Sequence, residues 1–136
     1  MADKLFKLEI VTPRKVVFSG DVVSFSAPGE AGSFQVLYNH APLLSSIVVG
    51  EVKIQESGGK ETRYATSGGF VEVLSNRVVL LAETAESPEE IDVRRAQEAM
   101  KRAENRIHEP SPDLDVQRAR LALARALNRL RVAQSK

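Results

Sequence analysis

The hydropathic period of this 136-residue chain changes once, near Glu86, and that single change restricts it to a small set of architectures. Before Glu86 the apolar residues alternate or cluster in short β-branched runs. Leu8-Glu9-Ile10-Val11, Val22-Val23-Ser24-Phe25, Val49 to Ile54 and Phe70-Val71-Glu72-Val73-Leu74 read as strands with one buried face. Between them stand turn signals: Thr12-Pro13, Ser19-Gly20-Asp21, Pro28-Gly29, Ser57-Gly58-Gly59, Gly68-Gly69 and Ser75-Asn76. The Gly68-Gly69 pair is expected to make a tight hairpin turn. Many short strands with almost no helical window predict an antiparallel sandwich or barrel over residues 1–86.

After Glu86 the period becomes helical, over residues 87–136. Ser87-Pro88-Glu89-Glu90 places a capping Ser, a Pro at the first helical position and a Glu three residues after the cap. The expected helix runs to about Ile107, and Pro110 and Pro112 break it. Ser111 or Asp113 then caps a second helix reaching about Ala133, folded back as an antiparallel hairpin. The fold class is therefore α+β. The inner positions of the hairpin are largely Ala: Ala96, Ala99 and Ala103, then Ala119, Ala122 and Ala126. Alanines let helices approach closely but bury little area at about 25 cal/mol per Å². Such a hairpin is either an ordinary appendage docked on the sandwich or a detachable element that exchanges partners.

Composition excludes several kinds of chemistry. No Cys is present, and His40 and His108 are the only histidines, which leaves neither a thiol site nor a His-based metal site. No nucleophile elbow, P-loop or dinucleotide fingerprint occurs, and no catalytic or metal-ligating residue stands out. His40 reads as a hydrogen-bonded structural residue, and Ser45 and Ser46 near it as packing. The start of the chain lacks the pattern of a secretory signal, and no apolar run is long enough to span a bilayer, so the chain reads as soluble.

Charge is unevenly spread. The first helix balances five acids against five bases, whereas the second has Asp113 and Asp115 followed by Arg118, Arg120, Arg125, Arg129, Arg131 and Lys136. Acids first and bases last suit the helix dipole, but six bases exceed what that requires and point to an anionic partner. Asp92, Arg95 and Arg102 share roughly one face of the first helix, and Arg125 and Arg129 project together from the second. An antiparallel hairpin could draw Arg102 and Arg125 together. Guanidinium forks suit phosphate oxygens, although each arginine could equally pair with a nearby carboxylate or face water. A freestanding nucleic-acid-binding module using the basic helix is the rival reading. Residues 1–86, with eight bases and ten acids, do not favour it.

The order of elements, and several local stretches, resemble the epsilon subunits of F-type ATP synthases along essentially the whole chain. Glu9-Ile10-Val11-Thr12-Pro13 looks like the family's opening strand and turn, Asn39-His40-Ala41-Pro42-Leu43 its segment within the sandwich, and Ser67-Gly68-Gly69-Phe70 its glycine turn. Arg118-Ala119 through Leu130 is similar to its second helix. The resemblance implies a ten-stranded β-sandwich followed by two α-helices, in a regulatory subunit that is not itself an enzyme. The implied partners are the gamma subunit and the membrane c-ring for the sandwich, with Gly68-Gly69 and residues 28–33 near the contacts. They also include a beta subunit, met by the hairpin when it extends and inhibits ATP hydrolysis. The implied location is peripheral, on the cytoplasmic face of the inner membrane.

Ile91-Asp92-Val93-Arg94-Arg95-Ala96 further resembles the family's nucleotide-binding pattern Ile/Leu-Asp-x-x-Arg-Ala. In members that carry it, ATP is a regulatory ligand of the folded hairpin. Carried across, Ile91 and Asp92 help recognise adenine, Glu83 lies near the base or ribose, and Ala96 completes the motif. Arg95, Arg102, Arg125 and Arg129 are expected near the phosphates. No catalytic cofactor is implied.

Overall fold

The computed structural model of the chain describes residues 4–109, 111 and 115–135. Among these, nine strands precede two helices: β1 (Phe6–Val11), β2 (Val16–Gly29), β3 (Gly32–Val36), β4 (Leu43–Ile47), β5 (Gly50–Glu56), β6 (Glu61–Thr66), β7 (Gly69–Leu74), β8 (Arg77–Ala82), β9 (Ala85–Glu86), α1 (Val93–His108) and α2 (Val116–Ala133). The long β2 serves two layers. Its first half pairs with β1, extending a layer ordered β4-β7-β8-β1. Its second half pairs with β3 and β5, and β6 and β9 continue that second layer. Counted by its two halves, β2 brings the strands to the ten that the resemblance implies. Pairing is antiparallel except for β1 with β8, which run parallel.

Alternation supplies the core. Phe6, Leu8 and Ile10 of β1, Val71 and Val73 of β7, Val78 and Leu80 of β8, and Val52 and Ile54 of β5 all turn between the layers. On β2 the buried set switches from Val22 and Ser24 to Phe25 and Ala27, where a register shift against β5 lies between Val22 and Ser24. A bulge of this kind exchanges the two faces of a strand, which lets one strand serve both layers.

Three turn assignments read from sequence need correction or refinement. Ser19-Gly20-Asp21 is no turn: these residues continue β2, with Gly20 opposite Leu8. The Gly reads as a breaker in isolation, yet the β-branched residues on both sides carry the strand through. Gly68-Gly69 makes no hairpin, because β6 pairs with β5 and β9 while β7 pairs with β4 and β8. The pair instead carries the chain from one layer to the other. Gly69 has φ +151°, and a Cβ there would press on the Leu81 carbonyl, so glycine is required by both backbone and space. Ser75-Asn76 does make a two-residue hairpin turn, both residues having positive φ, with Leu74 opposite Arg77.

The helical start also differs from the sequence reading. Glu90 accepts hydrogen bonds from the N–H and the hydroxyl of Ser87, as the Ser-Pro-Glu-Glu pattern leads one to expect. The helix it opens is only one 3₁₀ turn, Pro88–Glu90. Ile91 then returns to extended backbone (φ −76°, ψ 123°), its side chain buried with Ala65, Val132 and Ala133. Burying Ile91 pulls the chain out of helical geometry, and α1 restarts behind a second cap, Asp92, whose carboxylate accepts from the Arg95 N–H at 3.1 Å. The second helix is capped by Asp115, which accepts from the Arg118 N–H, and not by Ser111. Asp113, the other expected cap, and the breakers Pro110 and Pro112 lie outside the described residues.

Candidate functional site

The site begins with how the hairpin meets the sandwich. Helix α1 packs against α2, and α2 supplies the main helical contacts with β5 and β6. Asn128 and Val132, four residues apart, form the stripe facing the sandwich. The Asn128 amide donates to the Gly50 carbonyl at 2.8 Å and to the Thr66 carbonyl at 3.4 Å. Val132, with no exposed surface, packs with Ala65, Ile91 and Ala133. On the other side of α2 the buried Ala119 and Ala126 lie against α1 with its own buried Ala96 and Ala103. Among the described residues, the seam thus consists of two small side-chain stripes and two ion pairs, Arg129 Nε to Glu86 Oε1 at 2.7 Å from α2 and Lys15 Nζ to Glu90 Oε2 at 3.1 Å from the 3₁₀ turn. Among the described residues, its fully buried apolar contributors are Ile91, Val132, Pro88 and alanines.

A cleft of about 540 Å³ opens at one end of this seam. It is lined by the Thr12-Pro13-Arg14-Lys15 turn between β1 and β2, by the 83–86 segment and Glu90, and by Arg95 of α1 and Arg129 of α2. A smaller cavity, of about 10 Å³, adjoins it and shares Thr84, Glu86 and Arg129. Arg125 and Asn128 also line it. The Asn128 Oδ1 in that corner is buried and, among the described residues, has no hydrogen-bond partner. The large cleft holds four cationic side chains and three carboxylates. Lys15 pairs with Glu90 at 3.1 Å and Arg129 with Glu86, while among the described residues Arg14 and Arg95 have no carboxylate within salt-bridge distance. Glu90 is held below its ordinary carboxylate range, first by the Ser87 N–H, which outweighs the opposing effect of burial, and further by Lys15 and the Ser87 hydroxyl.

The residues expected from sequence are distributed as follows. Glu83, Arg95 and Arg129 line the large cleft, and Arg125 meets Arg129 in the adjoining cavity. Ile91 and Ala96 are buried packing residues, and the Asp92 carboxylate caps α1. Arg102 is exposed on α1 and lines neither space, so Arg102 and Arg125 do not meet there. Three contributors are absent from the sequence reading. Arg14 and Lys15 follow the Thr12-Pro13 turn signal, and two adjacent cations there are the only trace of them that the sequence carries. Asn128 is an amide within a stretch of Arg, Leu and Ala, and its buried role follows only from the docked geometry. His40 has Nδ1 2.7 Å from the Ala41 carbonyl oxygen, in keeping with a structural histidine. Among the described residues no group of His, Asp and Glu could hold a metal ion, and no helix is long and apolar enough to cross a membrane.

Residues 5–88 match the β-sandwich domain of the ATP synthase delta/epsilon chain, and residues 89–134 match its long α-helix domain. The ATP synthase epsilon chain of Pelotomaculum thermopropionicum is 52% identical over 107 residues, 79% of each chain. That of Carboxydothermus hydrogenoformans is 50% identical over 112 residues, 82% of each. At the level of fold, a chain in the Euglena gracilis mitochondrial ATP synthase structure (OSCP/F1/c-ring) superposes with a TM-score of 0.79 at 22% identity. The match covers 91% of this chain and 78% of that one. The chain belongs to the ATP synthase delta/epsilon family, as an epsilon subunit of an F-type ATP synthase.

Proposed function

We propose that the hairpin is a detachable regulatory arm held against the sandwich by ATP, in a subunit that carries no catalysis of its own. The observation that supports this most directly is the thinness of the seam. Asn128, Val132, Ala133 and the Arg129–Glu86 pair are most of what ties α2 to the sandwich. The docked and undocked states are then separated by few enough kcal/mol for one ligand to decide between them. ATP stabilises only the state that forms its site, so rising ATP withdraws the arm and falling ATP releases it.

In this reading Arg95, Arg125 and Arg129 receive the phosphates, and Glu83 receives the base or ribose. Asp92 and Ile91 set the turn from which α1 departs, and Ala96 lets α1 lie close to α2. Arg102 serves from the rim of the site. The released arm extends along the gamma subunit, where exposed bases such as Arg118, Arg120 and Arg131 meet an acidic segment of a beta subunit and inhibit hydrolysis. The sandwich joins gamma and the c-ring throughout and passes on rotation. Its outward sheet face exposes Leu44, Phe70, Leu74 and Leu81, an apolar patch suited to a permanent protein partner. The subunit sits peripherally, on the cytoplasmic face of the inner membrane.

Calorimetric titration with ATP of the chain and of an Arg125→Ala variant tests the ligand. Saturable binding that weakens in the variant is expected. No binding up to millimolar ATP would reduce the hairpin to a brake set by its protein partners alone. Truncation after His108 should raise ATP hydrolysis in the assembled complex without uncoupling it, and unchanged hydrolysis would count against an inhibitory arm.

A further inference from the structure

The nucleotide motif and the helix arginines belong to the hairpin, yet the cleft they open into is completed by the sandwich. Arg14 and Lys15 stand on the turn between β1 and β2, far in sequence from Arg95 and Arg129, and line the same 540 Å³ space. That volume is within the range of pockets that enclose a small ligand. Of its four cations, Lys15 and Arg129 are each balanced by a carboxylate, at 3.1 Å and 2.7 Å. Arg14 and Arg95, on opposite sides of the boundary between sandwich and hairpin, have no carboxylate partner among the described residues. Glu83 is the third carboxylate of the lining, so the cleft keeps an excess of one positive charge, and a phosphate chain offers oxygens to both unpaired guanidinium groups.

We infer that Arg14, assisted by Lys15, is a phosphate ligand of the nucleotide site, so that the bound nucleotide bridges the β1–β2 turn of the sandwich and the two helices. This rests on the reading of the hairpin as an ATP-binding arm and adds a second link to the sandwich. A ligand whose phosphates met only the helix arginines would touch the sandwich through Glu83 alone. One whose phosphates also engage Arg14 holds the arm down. The Lys15–Glu90 pair keeps the turn and the 3₁₀ segment side by side, so the two walls of the cleft are already in place before the ligand arrives.

Arg14 is exposed and makes no contact in the core, so its replacement leaves folding intact, which a thermal melt verifies. The test is calorimetric titration of the full chain and of Arg14→Ala, Arg14→Lys and Arg95→Ala variants, with ATP and with adenosine as probes. The expected result is an ATP affinity lowered about tenfold in Arg14→Ala, partly restored in Arg14→Lys, with adenosine binding unchanged. ATP affinity unchanged in Arg14→Ala while Arg95→Ala weakens it would overturn the inference and leave the ATP-binding arm standing. An equal loss for ATP and adenosine would also overturn it, since the turn would then act on the shape of the site and not on phosphate. Failure of the parent chain to bind ATP would remove the arm reading and this inference together.

Discussion

Val132→Ala is the perturbation that separates a detachable hairpin from an integral one. Val132 has no exposed surface and packs against Ala65, Ile91 and Ala133, where α2 meets the sandwich. The substitution removes two methyl groups, and at about 0.8 kcal/mol each the docked state loses about 1.5 kcal/mol. The side chain is aliphatic on both sides of the change and α2 gains helix propensity, so the loss falls on docking and not on the helix. A shift of this size multiplies the undocked population about tenfold. Hydrogen exchange followed by mass spectrometry reads it directly: amides of α1 and α2 should exchange about tenfold faster, while those of β1, β7 and β8 keep their protection. Loss of protection in those strands by the same factor would show that hairpin and sandwich open as one unit, and would refute the reasoning. Unchanged exchange in α2 would show that the Ile91–Val132 cluster does not hold the seam.

Two further outcomes follow from single positions. Gly69→Ala places a Cβ against the Leu81 carbonyl at a φ of +151°, and should lower the melting temperature by about 5 °C or more, read by circular dichroism; an unchanged melt would mean that the layer crossing tolerates a side chain. Glu90 has its folded-state pKa lowered, chiefly by the Ser87 N–H, so its contribution is present above the ordinary carboxylate pKa and is lost as pH falls through the depressed value. A Glu90→Gln variant should therefore melt lower than the parent at neutral pH and converge with it in acid, and a gap independent of pH would exclude this linkage.

Much of the fold was legible because its causes are local. Period-two alternation in Phe6–Val11 and Gly69–Leu74 follows from one buried face, and the helical period after Glu86 is equally plain. The Ala stripes carried the hairpin. What sequence did not disclose was decided by contacts distant along the chain. Ile91 interrupts the helix begun at Pro88 because it is drawn against Val132 and Ala65, more than 25 positions away on either side. Gly20 carries a local turn signal, yet its pairing opposite Leu8 carries β2 onward. Gly68-Gly69 suggests a hairpin because the local signal for a layer crossing is the same pair of residues. In the candidate site, the arginines were visible as charges in excess of what the helix dipole requires. Arg14 and Lys15 were not, since only the packing of α1 and α2 beside β9 brings that turn into the same cleft.

The measurement that tests the central claim most directly is a distance between two labels in the assembled complex, with and without ATP. The chain has no native Cys, so Lys60→Cys and Gln134→Cys, labelled before the subunit is returned to the complex, define a unique pair of labels. Lys60 and Ser135 line one groove when α2 is docked, so labels at 60 and 134 lie close together in that state. The account predicts a short distance in saturating ATP and a long one when ATP is withdrawn, with the transition following nucleotide occupancy. A single distance, unmoved by ATP in either condition, would contradict it.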